Sequence, residues 1–221
     1  MKKQFKILLQ DCKNSVGLFS LPILLSLTVF LLVWILIPGE VKAARFGDMA
    51  QEILLFAFLL WPILILRRWI SGDEIEALRS IEKGRHACAA ELIGLLAVEA
   101  VWLLLIWLMG RLAQIPLEGE CFRLLALSAL MTAVLYLLSV LLRSVAFSTV
   151  AVAAYCLLSI ILSSNSNNKK WDSFFLVNPG RGWRGESTEA ILKGYMPVLA
   201  IALLCILCTS LIERRNYKRR W

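Results

Sequence analysis

Charge and histidine are the scarce commodities of this chain. Asp, Glu, Lys and Arg make up only 18% of 221 residues, and His86 is the sole histidine. One histidine cannot supply an imidazole cluster for a metal, and no apolar segment carries a histidine for a Ser-His-acid constellation. The HExxH and GxSxG patterns are absent, as is the GxxxxGK[ST] phosphate loop, so the chain does not itself hydrolyse ATP by that route. His86, at the edge of an apolar run, reads as a solvated interface residue. The six cysteines, Cys12, Cys88, Cys121, Cys156, Cys205 and Cys208, are scattered. Cys205 and Cys208 have the spacing of a metal pair, but without a second pair or a histidine they read as small core residues.

What is abundant is apolar length. The chain is 59% hydrophobic with a mean hydropathy of +0.73. Six runs stand out: Leu18–Pro38, Ile53–Leu66, Leu92–Met109, Leu124–Leu142, Phe147–Ser163 and Tyr195–Ile212. About twenty helical residues cross a bilayer, so the second run is of full length only from near Met49 to near Trp69, and the fifth is short. Continuous apolar runs exclude a barrel, whose strands alternate apolar and polar residues. The fold class is therefore all-α, a polytopic membrane protein with six transmembrane helices. Six spans use about 120 positions, which leaves too few for a separate soluble domain and makes residues 1–221 one membrane domain. No small-residue cleavage site follows the first run, so a cleaved signal peptide is not expected.

Lysine and arginine give the orientation. With both termini inside, fifteen of the 24 basic residues lie on the cytoplasmic side, which favours both ends in the cytoplasm of a cell membrane. The net charge of +8 is then mainly a topology signal and a match to anionic inner-leaflet lipid. Nucleic acid is not an expected partner, because no folded soluble module presents a basic face.

The polar segments have their own patterns. Residues 2–14 form an amphipathic helix, with Phe5, Leu8, Leu9 and Cys12 on one face and Lys2, Lys3, Lys6 and Lys13 elsewhere, suited to the headgroup plane. After the second run comes RRWISGDEIEALRSIEKGRH, Arg67 to His86. Ser71-Gly72 breaks the preceding helix; Asp73 and Glu74 suit a helix N-terminus and Arg79 its other end. Residues 71–83 thus encode a short separate helix, with Ile75, Leu78 and Ile81 as one apolar edge that needs a partner, whether the protein's own helices or another chain. The longest outer connection, residues 164–189, opens on solvated turn residues and then becomes aromatic from Trp171 to Val177. Both a half-inserted segment and a surface loop fit it. Pro22, Pro62 and Pro197 fall inside spans. Small residues step along the fourth span (Ser128, Thr132, Ser139) and the fifth (Ser144, Ser148, Ala151, Ser159), and read as packing faces.

Glu99 is the conspicuous intramembrane charge, in the middle of Leu92–Met109. A carboxylate at that depth costs on the order of 3 kcal/mol, so it must face protein or water, or carry its proton. Arg123 and hydroxyls such as Thr132 are candidate partners. Glu99 and Thr132 are therefore substrate-pathway candidates, with a buried helix-pairing role as the alternative. Glu91, two turns earlier, lies nearer the cytoplasmic edge.

The layout of an interfacial N-terminal helix, six spans, both ends inside, an acidic helix between spans two and three, and a long outer loop before span six resembles the permease subunit of type-2 ATP-binding-cassette exporters. The stretch Glu74-Ile75-Glu76-Ala77-Leu78 followed by Gly84-Arg85 is similar to the family's acidic stretch, leucine, then small residue and arginine. The proline that the family often shows before that arginine is absent. The resemblance implies a coupling helix that docks on a separate ATPase subunit through Asp73, Glu74, Ile75, Glu76, Leu78, Arg79 and Ile81. It also implies a second permease chain, identical or sister, and ATP with magnesium bound in the partner ATPase rather than here. The chain would be a transporter subunit and not an enzyme, exporting an amphipathic peptide, lipid-like molecule or drug. A substrate-capture subunit of an importer, or a small multi-pass receptor, is the competing class. An intramembrane enzyme comes third, because Glu99 alone supplies no nucleophile.

Overall fold

The computed structural model describes residues 16–71, 87–165 and 188–218, and these residues form helices and short connections without a strand. Helix α1 is Val16–Leu36, and a 3-10 turn at Gly39–Val41 leads into α2. Helix α2 runs from Lys42 to Ser71 as one rod, α-helical over Lys42–Met49 and Leu55–Leu66 and π-helical over Ala50–Leu54 and Arg67–Ser71. Helices α3 (Ala87–Leu112), α4 (Glu118–Leu142), α5 (Val145–Asn165) and α6 (Thr188–Lys218) follow. All six are long and apolar enough to span a membrane.

The second span differs from the sequence expectation, starting at Lys42 rather than near Met49. Helix continues through this polar stretch because one face, Phe46 and Gly47, is buried while Arg45 points outward. The fifth apolar run, short in sequence, is a full helix with an apolar window Val145–Leu162. The three prolines lie inside α1, α2 and α6. Near Pro22 the carbonyl of Phe19 accepts the indole N–H of Trp61 at 3.1 Å, and the Phe19 and Trp61 rings stack at 6.3 Å. An indole thus serves a helix carbonyl in the turn that proline loosens.

Six crossings put the start of α1 and the end of α6 on one side, here called the base; α2 ends and α3 begins there too. The opposite side is the rim. Helix α4 is the axis of the bundle and packs against α2, α3, α5 and α6, while α1 packs on α2 and α3. The spans of α2 and α4 are mostly buried, whereas α1, α5 and α6 turn most of their surface outward. That outward surface is apolar, as in Leu24, Val101, Val150 and Leu204, with Phe147 73% exposed, which suits lipid rather than water.

Both small-residue stripes are largely inside. Ser128, Thr132 and Ser139 of α4 and Ser148 and Ser159 of α5 are buried. They allow the helices to approach closely, as their spacing predicts, although Ala151 faces outward. The hairpin between α4 and α5 is tight: Arg143 takes a left-handed conformation at φ 54°, and the Ser144 hydroxyl accepts the Phe147 backbone N–H at 3.4 Å. At the rim, α3 turns into α4 through Gly110, where a Cβ would stand 2.8 Å from the Leu117 side chain.

Candidate functional site

Polar side chains inside this bundle gather at three levels. At the base, the last turn of α2 meets the first turns of α3. The Arg68 guanidinium forms an ion pair with the Glu91 carboxylate, whose side chain is 1% exposed, and the Trp69 indole donates to the same carboxylate at 2.9 Å. Arg68 also lies 5.9 Å from the Trp69 ring centroid. Next to this group the Tyr136 hydroxyl of α4 donates to Glu213 of α6 at 2.6 Å. Cys88 of α3 is buried at the same end of the bundle, one turn before Glu91. The base thus holds two polar contacts, one joining α2 to α3 and one joining α4 to α6.

At mid-height, Glu99 of α3 is 1% exposed and accepts the hydroxyl proton of Ser128 of α4, which also contacts the Leu125 carbonyl at 3.1 Å. Thr132, one turn further along α4, is buried as well. The neighbouring seam between α3 and α1 carries a second bond, from the Trp102 indole to the Ser26 hydroxyl at 2.7 Å. Glu99 therefore faces protein, and its partner is Ser128 on the same stripe as Thr132. Replacing Ser128 with alanine is expected to lower thermal stability in detergent by about 1–3 kcal/mol, because a buried carboxyl loses its hydroxyl donor. Thr132→Ala is expected to cost less than half of that.

At the rim, Arg123 and Glu120 of α4 form a buried ion pair at 3.5 Å, and the Arg123 guanidinium sits 5.6 Å from the Tyr195 ring centroid on α6. Glu120 fills the space over Gly47 of α2, where a Cβ would collide with the carboxylate. Arg123 thus serves the rim and Glu99 the middle of the bundle.

The residues from Asp73 to Ile81, namely Asp73, Glu74, Ile75, Glu76, Leu78, Arg79 and Ile81, lie outside the described residues. So do the amphipathic segment 2–14, His86 and most of the outer connection. The two helix ends that hold the 72–86 connection are described, and they are the ones joined by Arg68, Trp69 and Glu91. Among the described residues no group of three His, Cys, Asp or Glu can hold a metal. Cys205 is half-buried and packs against the core, whereas Cys208 points outward, so only Cys205 fits the core reading.

The base network was readable only in part. An intramembrane Glu91 needs a cation, and Arg67-Arg68 stands at the end of the neighbouring span. Which arginine points inward depends on the π-helical turn Arg67–Ser71, for which no sequence pattern serves as a marker: Arg67 is exposed and Arg68 is not. Comparison with protein-family models, with curated proteins and with solved structures finds no match to this chain.

Proposed function

We propose that this protein is the permease subunit of an ATP-driven exporter of the type-2 ATP-binding-cassette kind, with both termini in the cytoplasm. A separate ATPase would dock on the 72–86 connection, and a second permease chain would complete the pathway. The observation that carries this reading is the buried clamp across the foot of that connection. Arg68 stands four residues before Gly72, and Glu91 five residues after His86. Their ion pair, reinforced by Trp69, joins the end of α2 to the start of α3, and helix ends joined in this way would move as one piece.

A connection held this way suits the transfer of force. The Ile75, Leu78 and Ile81 edge would sit on the ATPase, and its displacement on ATP binding would enter the bundle through two helices together. A loop that served only as a tether would have no need of a buried charge pair at its base, because desolvating two charges is costly. The substrate class that goes with the reading is amphipathic, since the bundle's interior polar groups are few and spaced by apolar packing. Glu99 and Thr132 remain the candidates for lining its route.

Leu78→Asp places a charge on the apolar docking edge. The variant is expected to insert and fold like the parent, as judged by yield and far-UV circular dichroism. It is also expected to lose at least about tenfold of the Mg-ATP hydrolysis that co-purifies with the parent, as for truncation of a central interface anchor. Undiminished hydrolysis in the variant's preparation would remove the docking assignment.

A further inference from the structure

The Glu99–Ser128 contact at mid-height has more acceptors than protons. The Ser128 hydroxyl carries one hydrogen, and its oxygen lies within hydrogen-bond reach of a Glu99 carboxyl oxygen and of the Leu125 carbonyl, the latter at 3.1 Å. A carboxylate and a backbone carbonyl both only accept. When Glu99 is ionised, the single hydroxyl proton serves the carboxylate and the Leu125 contact holds no hydrogen. One added proton on Glu99 satisfies all three groups: the carboxyl donates to Ser128, and Ser128 donates to Leu125. No heavy atom has to move, because only the hydroxyl turns.

Among the described residues, no cation faces this carboxyl. Glu99 is 1% exposed, and its helix α3 packs against α1, α2, α4 and α6. Helix α1 has no charged residue, α2 has none between Glu52 and Arg67, and α6 has none between Lys193 and Glu213. The other titratable groups in those stretches are Tyr195, Cys205 and Cys208 of α6. On α3 itself the next charges are Glu91, about 12 Å toward the base, and Arg111, about 18 Å toward the rim, at 1.5 Å per residue. On α4, Arg123 is engaged with Glu120 and Tyr195 near the rim, and Tyr136 donates to Glu213 at the base. A carboxyl group at that depth with no cation to face is cheaper to hold neutral than charged.

We propose that Glu99 is a proton-binding site in the middle of the bundle, and that at neutral pH it carries its proton as the donor of a Glu99–Ser128–Leu125 chain. The site is a property of the single chain and holds whether or not the chain is a permease.

The test is the infrared spectrum of the full chain in phosphatidylcholine vesicles at pH 7 in deuterated buffer. A protonated carboxyl shows a carbonyl band there that a carboxylate lacks. An ordinary glutamic acid, titrating near pH 4.3, is neutral in about one molecule in 500 at that pH. The parent is expected to show an acid band that Glu99→Gln loses, with the loss equivalent to about one carboxyl per chain. Ser128→Ala leaves Glu99 in place and is expected to keep the band at a displaced frequency, because the acid loses its acceptor. That variant serves even where Glu99→Gln fails to fold. Ser139→Ala removes a buried hydroxyl elsewhere on α4 and is expected to leave the band where it is.

A Glu99→Gln spectrum that loses carboxylate bands, with the acid region unchanged, would overturn the proposal. So would an acid band that ignores Ser128→Ala, since the proton would then sit on another carboxyl. Neither result depends on whether an ATPase accompanies the chain, so the proton site and the permease reading fail separately.

Discussion

Glu91→Ala is expected to lower the stability of the bundle by about 3–5 kcal/mol, the usual cost of removing one partner from a buried ion pair. The carboxylate serves both the Arg68 guanidinium and the Trp69 indole, so its loss removes an ion pair and a hydrogen bond together. Arg68, with 16% of its side chain exposed, has a partial escape toward water, whereas Glu91 at 1% has none. Arg68→Ala is therefore expected to be the more damaging of the two single changes, because it leaves the carboxylate sealed in. Replacing both at once, Arg68→Met with Glu91→Leu, is expected to recover most of the loss, since an apolar pair of similar volume satisfies the same space. Denaturant titration in mixed micelles measures all four chains. A loss below about 1 kcal/mol for either single change would mean that the pair is surface-like and no clamp.

Gly47→Val is the second large effect, expected at about 3 kcal/mol or more. Its Cβ would land on the Glu120 carboxylate, which the fold holds beside Arg123. Moving Glu120 aside weakens a buried ion pair; moving α2 instead disturbs the buried Phe46 next to it. The control is Gly94→Ala on α3, where a Cβ meets nothing within 4 Å. That change is expected to be neutral or to stabilise by up to about 1 kcal/mol through helix propensity. If both glycine variants melt alike, the packing of Glu120 over Gly47 has no energetic weight.

Six apolar runs are enough to announce six membrane helices, because each length scale of a bilayer is written directly into hydropathy. Boundaries are harder, as α2 shows: its first two turns carry Lys42, Arg45 and Asp48, and helix persists there because Phe46 and Gly47 find a buried face. Glu99 is legible as a buried carboxylate from its setting alone. Its partner is not, since Ser128 and Thr132 lie one turn apart on the same stripe and only the rotation of α4 decides between them. The base network is hidden for a further reason. Tyr136 and Glu213 are 77 positions apart, and nothing in either segment marks them as neighbours. Parallel packing of α4 and α6 brings them together, and that arrangement is a property of the whole bundle.

The base network, the Glu99–Ser128 contact and the rim pair of Glu120 and Arg123 stand at three depths along the axial helix α4. Their order matches a division of labour in the permease reading: force enters at the base, the route passes the middle, and the rim pair holds the far ends of α4 and α6 together through Tyr195. Arg123 and Glu120 are buried at the rim, at the opposite end of the bundle from the Arg68–Glu91 pair, so in the permease reading changes there are expected to act on the substrate side and leave ATPase docking intact.

The most direct measurement is purification of the tagged, unmodified chain from its own membranes in a mild detergent, followed by assay of Mg-ATP hydrolysis and of the mass of the complex. The permease reading expects an ATPase subunit in fixed proportion, two copies of it with two permease chains, and hydrolysis that disappears when the ATPase is stripped away. A homogeneous preparation of this chain alone, without nucleotide hydrolysis under conditions that preserve membrane complexes, would contradict it and leave a self-contained receptor or capture protein.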